Sequence, residues 1–360
     1  MTEHSPLRYT AALDGVRALA VLSVIAFHSG LRFAVGGALG VDVFFVLSGF
    51  LITTLMIDEW HASGSTDTKA FYVRRAFRIL PALAVCIVGC WIAARLRGGS
   101  ALMHATSTGA VAALLFVGNW VRVSRGNQSL GLLNHTWSLG IEEQFYILWP
   151  LLTHVILTKG RARALDVLER ILVVLVVLVL CWRLVLMISG ASPERIYNGT
   201  DTRSDALFIG ALFAVWRVKG RISVARGWII VSATAAVLGA LAFAQPESAL
   251  LYGIGLTGFA LLAGVLILSV TTSDSWLFRT PPVVWVGRLS YSLYLWHYPV
   301  LQMFPRLHMR ALYVHSIRLA TIIVLAAASH YLVERPFLRL RVKRGWGAAS
   351  LGHRAPEHNC

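Results

Sequence analysis

Charge is what this chain has least of. Only 14% of its 360 residues are Asp, Glu, Lys or Arg, where soluble domains carry about 25%. The shortage excludes a single soluble domain, because most of the length lies in apolar runs of about 17–22 residues. Acid is scarcer than base: 17 Asp+Glu face 33 Lys+Arg, a formal net charge of +16. In a chain that is 57% hydrophobic, with mean hydropathy +0.67, this excess reports cytoplasmic loops and anionic lipid. The lipid bilayer is an expected partner and nucleic acid is not. Cysteine is sparse too. Cys86, Cys90 and Cys181 lie in apolar runs and Cys360 is the last residue. Cys86 and Cys90 share a helix face, but no His or Cys cluster joins them at zinc spacing, so they read as packing residues and no metal is expected. No G-x-S-x-G elbow, Walker A, H-E-x-x-H or dinucleotide fingerprint is evident. No internal repeat, low-complexity segment or second domain stands out. The start has no small-residue cleavage site, so the first span is expected to act as an uncleaved signal anchor. Lysine is rare beside arginine while Ala, Val and Gly abound, a composition that suggests a GC-rich bacterial genome.

What is present is a succession of apolar segments organised around Leu13–Thr54. That stretch reads as two helices joined by a Gly-rich turn, and its few polar residues include Asp14, Arg17, His28, Asp42 and Ser48. An ionisable group inside an apolar span is expensive and marks a functional site by default. Arg17 and His28 are eleven residues apart, so they lie on nearly one helix face, roughly 16 Å apart along the axis, with Asp14 within about 40° of the same stripe. Structural roles stand beside the functional ones: Asp14 as a helix cap, Arg17 snorkelling to a headgroup.

Eleven segments follow in order: Asp14–Leu31, Gly37–Ile57, Ile79–Ala94, Ala105–Trp120, His135–Leu157, then 171–189, 204–216, 228–244, 249–270, 286–304 and 316–333. Basic clusters set the orientation. They are Lys69/Arg74/Arg75/Arg78, Lys159/Arg161/Arg163/Arg170, Arg217/Lys219/Arg221/Arg226, and Arg335/Arg339/Arg341/Lys343/Arg344. All four are expected on the cytoplasmic side. Three segments separate the first two clusters, so one of segments three to five should not cross fully, and the short fourth is the preferred candidate. Irregular backbone at that depth is allowed where it lines a protein cavity. The expected fold is therefore an all-α polytopic membrane protein of about ten transmembrane helices plus one partial or re-entrant segment. Its parts are a cytoplasmic lead (1–12), a membrane domain (13–340) and a basic, polar cytoplasmic tail (341–360). His28 falls in the outer half of the membrane and Arg75/Arg78 at the cytoplasmic surface.

Three constellations carry chemistry. In FYVRRAFRILP, Arg75 and Arg78 are three apart and point the same way on a helix, with Arg74 beside them. Guanidinium groups bind phosphate by bidentate, charge-assisted bonds, which suits a phosphorylated cytosolic donor such as acyl-CoA; the alternative is an anchor on lipid phosphates. In NHTWSLGIEEQFYILWP, His135, Ser138, Glu142 and Tyr146 form one polar stripe, which adjacent Glu143 cannot share. Glu142 could hold His28 in the right tautomer, or cap backbone amides of an interfacial helix. In RLSYSLYLWHYPV, Ser290, Tyr294 and His297 share a face, as a site or as part of an aromatic belt. Glu334 and Arg335 read as a local ion pair or cap. General-base catalysis by His28 on an acceptor hydroxyl, with acyl transfer from a thioester, would use the histidine, the arginines and the glutamate together.

The motifs LDGVRALAVLSVIAFH, GVDVFFVLSGFLIT, YVRRAFRILP, HTWSLGIEEQFYILWP and SYSLYLWHYP, in this order, resemble the acyltransferase 3 family of bacterial membrane O-acyltransferases. The resemblance covers about residues 8–340. It implies an integral-membrane domain, mostly of ten helices, that moves acyl groups from acyl-CoA to hydroxyls of sugars or glycosylated molecules. It further implies that His28 is the essential histidine, that Arg75 and Arg78 are the donor-linked arginines, and that Glu142 is the family's glutamate. Asp14, Arg17 and Asp42 match further polar motif positions. Some relatives carry an appended extracytoplasmic domain. This chain ends soon after Glu334 and is expected to complete transfer within the membrane, in a bacterial cell membrane with both termini cytoplasmic.

On this reading acyl-CoA is the co-substrate. Glu142, or Asp42 as second choice, orients His28, which takes the proton of the acceptor hydroxyl. The acceptor is a surface glycan or lipid-linked sugar, or a glycosylated metabolite such as a macrolide. The rival reading is a proton-coupled transporter with His28, Glu142 and Asp42 as relay.

Overall fold

A computed structural model describes residues 7, 9–97, 99–221, 227–245, 248–272, 275–304 and 311–345. Most of the expected lead, Arg226 and the tail beyond 345 lie outside the described residues. These form sixteen α-helices and no strand. The first seven are α1 (Ala11–His28), α2 (Gly40–Ser63), α3 (Thr68–Arg97), α4 (Ser100–Leu114), α5 (Gly118–Arg125), α6 (Trp137–Lys159) and α7 (Ala164–Ile188). Two short helices, α8 (Pro193–Asn198) and α9 (Thr200–Arg203), lead into α10 (Asp205–Val218) and α11 (Gly227–Phe243). The remainder are α12 (Leu256–Thr272), α13 (Pro281–Arg288), α14 (Ser290–Met303), α15 (Ala311–Ser329) and α16 (Arg335–Lys343).

Among the described residues six helices are long and apolar enough to cross a membrane: Ala11–His28, Gly37–Ser63, Thr68–Arg97, Ala164–Ile188, Leu251–Thr272 and Tyr313–Lys343. The other five expected segments correspond to α4 with α5, α6, α10, α11 and α14. The outer surface is apolar where a soluble protein's would be polar. Val88, Trp91 and Ile92 of α3 and Val174, Leu178 and Trp182 of α7 are exposed, while ion pairs sit inside. Such a surface fits hydrocarbon, and the chain is an all-α, multi-pass membrane protein.

The hydrophilic stretch expected after the second span is mostly helix. Two local signals set the real ends. Gly64 takes a left-handed conformation (φ 75°) and closes α2. Asp67 Oδ1 accepts from the Ala70 amide at 2.8 Å and starts α3. Only 64–67 separate the two helices, so the arginine cluster stands on the first turns of α3.

The fourth segment is divided between α4 and α5. α4 has 15 residues, about 22 Å of rise against about 30 Å of hydrocarbon. The chain then turns at Phe116, a non-glycine residue at φ 55°. The Phe116 carbonyl, lost to the helix, accepts from Gln144 Nε2 at 2.7 Å, so it is not left unpaired at the break.

Helix α2 sits at the centre, against α1, α6, α10 and α12. It meets α10 through reciprocal glycines. A Cβ at Gly49 would stand 1.9 Å from the Leu207 carbonyl oxygen, and one at Gly210 2.0 Å from that of Val46. Only glycine lets the backbones approach this closely. Cys86 and Cys90 are buried with sulfurs 3.9 Å apart, and Cys86 Sγ donates to the Leu295 carbonyl at 3.4 Å.

Candidate active site

Helix α3 brings its arginines to the rim of a cavity of about 610 Å³ lined also by α1, α2, α6, α14 and the chain around 330–341. Arg75 lies across α6. Its Nη2 is 3.7 Å from Glu142 Oε2, its Nε is 3.4 Å from Glu143 Oε1, and its guanidinium stands 3.5 Å over the Tyr146 ring. The Tyr146 hydroxyl hydrogen-bonds to Glu142 at 2.9 Å and to Ser48 of α2 at 2.5 Å. The expected stripe Ser138–Glu142–Tyr146 is therefore one face, and Glu143 joins it, against expectation, because the long Arg75 side chain bridges adjacent positions. Arg78 is exposed and makes no ion pair among the described residues. Arg74 lines the same cavity. On α1, Arg17 pairs with Asp14 at 2.5 Å, and Asp14 also accepts from the Tyr9 hydroxyl at 2.7 Å. Glu334 corrects another expectation: it bonds Ser292 of α14 and, at 3.0 Å, His330, while Arg335 stacks on Tyr331.

Histidine gathers at a second cavity, of about 360 Å³. His28 is the last residue of α1, and its ring is exposed. Its Nδ1 lies 3.0 Å from the Val24 carbonyl and 3.3 Å from Nε2 of His297 on α14. His297 is fully buried, and its Nδ1 donates to the Tyr294 carbonyl at 2.6 Å. His135 stands not on α6 but on the 3-10 turn Gly131–Thr136 before it. It stacks on Tyr298 at 5.4 Å and meets His297 edge-on at the same distance. Both its ring nitrogens are buried without a hydrogen-bond partner. Arg122, Glu194, Tyr197 and Asn198 line the opposite wall.

The two cavities share Val41 and Tyr294. The Tyr294 hydroxyl hydrogen-bonds to Ser138 at 2.5 Å and to the His135 carbonyl at 2.7 Å. Helix α1 runs past both spaces, with Arg17 on one and His28 on the other, about 16 Å apart.

Two expected contacts are absent. Neither Glu142 nor Asp42 hydrogen-bonds to His28. Glu142 faces the arginine cavity on α6. Asp42 faces α9, where its Oδ1 accepts from Arg203 Nη2 at 2.8 Å, both side chains buried. Among the described residues His28, Glu142 and Asp42 make no direct hydrogen bond to one another.

The sequence reading missed several residues. Arg122 and Glu194 lie between the apolar segments in the sequence, and only the fold brings them to the histidine cavity. Arg183, fully buried, bonds Asp205 at 2.9 Å, the Thr202 and Gly253 carbonyls, and Thr257. An arginine within a 25-residue apolar helix was a legible signal. Two π-helical turns, Leu251–Gly255 and His330–Glu334, each line one cavity, and such turns concentrate at functional sites.

A multi-pass helical membrane protein with adjoining arginine- and histidine-lined cavities is the class this geometry defines. A family model described as an acyltransferase domain matches residues 10–329. The chain belongs to that acyltransferase family. It is 36% identical to the peptidoglycan O-acetyltransferase OatA of Listeria monocytogenes, over 82% of this chain and 50% of that protein. It is 34% identical to the putative peptidoglycan O-acetyltransferase YrhL of Bacillus subtilis, over 99% of this chain and 58% of that one. A putative O-acetyltransferase of Staphylococcus aureus is 31% identical over 95% of this chain and 59% of its own length. The chain thus spans between half and three-fifths of these relatives. No solved structure matches it.

Proposed function

We propose that this chain is a membrane O-acyltransferase that moves an acetyl or other short acyl group from acyl-CoA to a hydroxyl of a sugar, in a bacterial cell membrane with both termini cytoplasmic. The observation that carries this reading is the pair of cavities meeting at Val41 and Tyr294, one rimmed by Arg74, Arg75 and Arg78, the other by His28. Arginine clusters at a cavity mouth suit the phosphates of a CoA donor. A histidine with a free ring nitrogen beside a tyrosine- and amide-lined space suits a hydroxyl acceptor. The names of two relatives, which specify peptidoglycan, favour a glycan over a glycosylated small metabolite such as a macrolide.

In this mechanism the phosphates stay with Arg75, Arg78 and their neighbours, and the thioester reaches the Tyr294 partition. His28 Nε2 takes the proton of the acceptor hydroxyl. The oxygen forms the new ester C–O bond, the C–S bond breaks, and CoA thiolate leaves, regaining a proton from the imidazolium. Direct transfer needs no acyl-enzyme.

Purified protein in nanodiscs, mixed with acetyl-, propionyl- and longer acyl-CoAs and with glycan or macrolide acceptors, tests the reading through free CoA. Acceptor-dependent release that His28→Ala abolishes, and that needs at least tenfold more donor in Arg75→Ala/Arg78→Ala, supports it. Full activity in His28→Ala overturns the base assignment. Solute counterflow without CoA release overturns the enzyme in favour of a transporter.

A further inference from the structure

The hydrogen bonds around His28 fix where its proton sits. A carbonyl oxygen only accepts, so the 3.0 Å contact from Val24 requires an N–H at His28 Nδ1. The same logic applies to His297. Its Nδ1 lies 2.6 Å from the Tyr294 carbonyl, so Nδ1 carries the proton and Nε2 of the neutral ring carries a lone pair. That lone pair faces His28 Nδ1 at 3.3 Å. The two assignments agree: the one Nδ1–H of His28 is shared between the Val24 carbonyl and this lone pair. They leave Nε2 as the basic nitrogen of neutral His28, and it makes no hydrogen bond among the described residues.

We propose that His297 is the positioning residue of His28, accepting the Nδ1 proton and so taking the part that a carboxylate takes beside other basic histidines. The inference rests on the reading of His28 as the base. Tyr294 anchors His297, and α14 thereby links the partition between the cavities to the base. His297 is fully buried, and its ring is held by His135 and Tyr294 at centroid distances of 5.4 Å. When His28 gains a proton at Nε2, the cation keeps two acceptors on its Nδ1 side, Val24 and His297. A neutral imidazole supports that charge less than a carboxylate does, and leaves no anion to lock the base in its protonated form. The other titratable groups around the ring are His135 from the 3-10 turn, Tyr294 and Tyr298 from α14, Arg122 from α5 and Glu194 from α8. All of them are unchanged in the variants below.

The test needs no acceptor. Diethyl pyrocarbonate modifies neutral imidazole, and mass spectrometry reads the rate at each histidine as a function of pH in the purified protein. Exposed His104 of α4 is the internal reference. His297→Phe keeps a ring and removes the acceptor. His297→Gln returns an acceptor near the Nε2 position. The expected result is a His28 profile displaced from the parent's in His297→Phe and superimposed on it in His297→Gln. With substrates, kcat falls about 10- to 100-fold in His297→Phe, recovers largely in His297→Gln, and the donor KM stays within about threefold. If His297→Phe is not monodisperse, His297→Asn replaces it: the amide keeps a donor toward Tyr294 and loses the acceptor. A His28 profile in His297→Phe or His297→Asn that superimposes on the parent overturns the proposal, as does a His297→Gln profile displaced as far as theirs. Turnover that survives His28→Ala overturns the base assignment instead, and leaves the profile shift to report on His297 alone.

Discussion

Arg75 lies between the neighbouring carboxylates of α6, with Nη2 3.7 Å from Glu142 and Nε 3.4 Å from Glu143. On the proposed mechanism it does two jobs, while Arg78, exposed and without an ion pair among the described residues, does one. Removing Arg75 strips buried Glu143 and half-buried Glu142 of their nearby cation, which costs stability. Arg75→Ala should lower the unfolding midpoint in detergent as well as raise the donor KM. Arg78→Ala should raise the donor KM about tenfold with the midpoint unchanged. Thermal unfolding and CoA-release kinetics on the same preparations separate the two, and equal midpoint losses would refute the division.

Asp42 and Arg203 form a buried pair of α2 and α9 at 2.8 Å, remote from His28 in its contacts. Truncating one partner leaves an uncompensated charge, so Asp42→Ala or Arg203→Ala alone should destabilise by about 3–5 kcal/mol. Replacing both with apolar residues, Asp42→Leu/Arg203→Met, should recover most of that loss. A double-mutant cycle on unfolding midpoints measures it. If the double variant is as unstable as the sum of the singles, the pair is not the reason Asp42 is buried.

Tyr294 is shared by both cavities and hydrogen-bonds to Ser138 and the His135 carbonyl. Tyr294→Phe removes only the hydroxyl and should cost about 1 kcal/mol of stability, with a modest fall in kcat. Tyr294→Ala opens the partition. It should widen the acyl range toward longer chains and let water take the acyl group, read as CoA release without acceptor. Unchanged chain preference and no acceptor-free release in Tyr294→Ala would show that Tyr294 does not separate the two spaces.

Much of this site was legible in the chain. Arg75 and Arg78 at i, i+3, the Ser138–Glu142–Tyr146 stripe, and Arg17 and His28 on one face of α1 all follow from helical periodicity. Counting basic clusters against crossings pointed to one of segments three to five as incomplete, with the fourth preferred, and the chain does break there between α4 and α5. What failed was pairing between helices. Glu142 was matched to His28 because carboxylates commonly orient histidines, yet nothing in the linear sequence says which face of α6 meets α1. The ends of α2 and α3 failed for a local reason: hydropathy was read where a left-handed Gly64 and the Asp67 cap decide.

The sequence by itself determined that the chain is helical and membrane-embedded, and which few polar groups are too costly to bury idly, because hydrocarbon tolerates neither open backbone nor stray charge. The tertiary structure alone decided the partners. It gave Asp42 to Arg203, Glu142 to Arg75, and His28 to His297, a residue 269 positions away. Those choices depend on how closely the helices pack and how each is rotated about its axis. Contacts such as Gly49 against Leu207 set both, and helical periodicity within one segment cannot encode them.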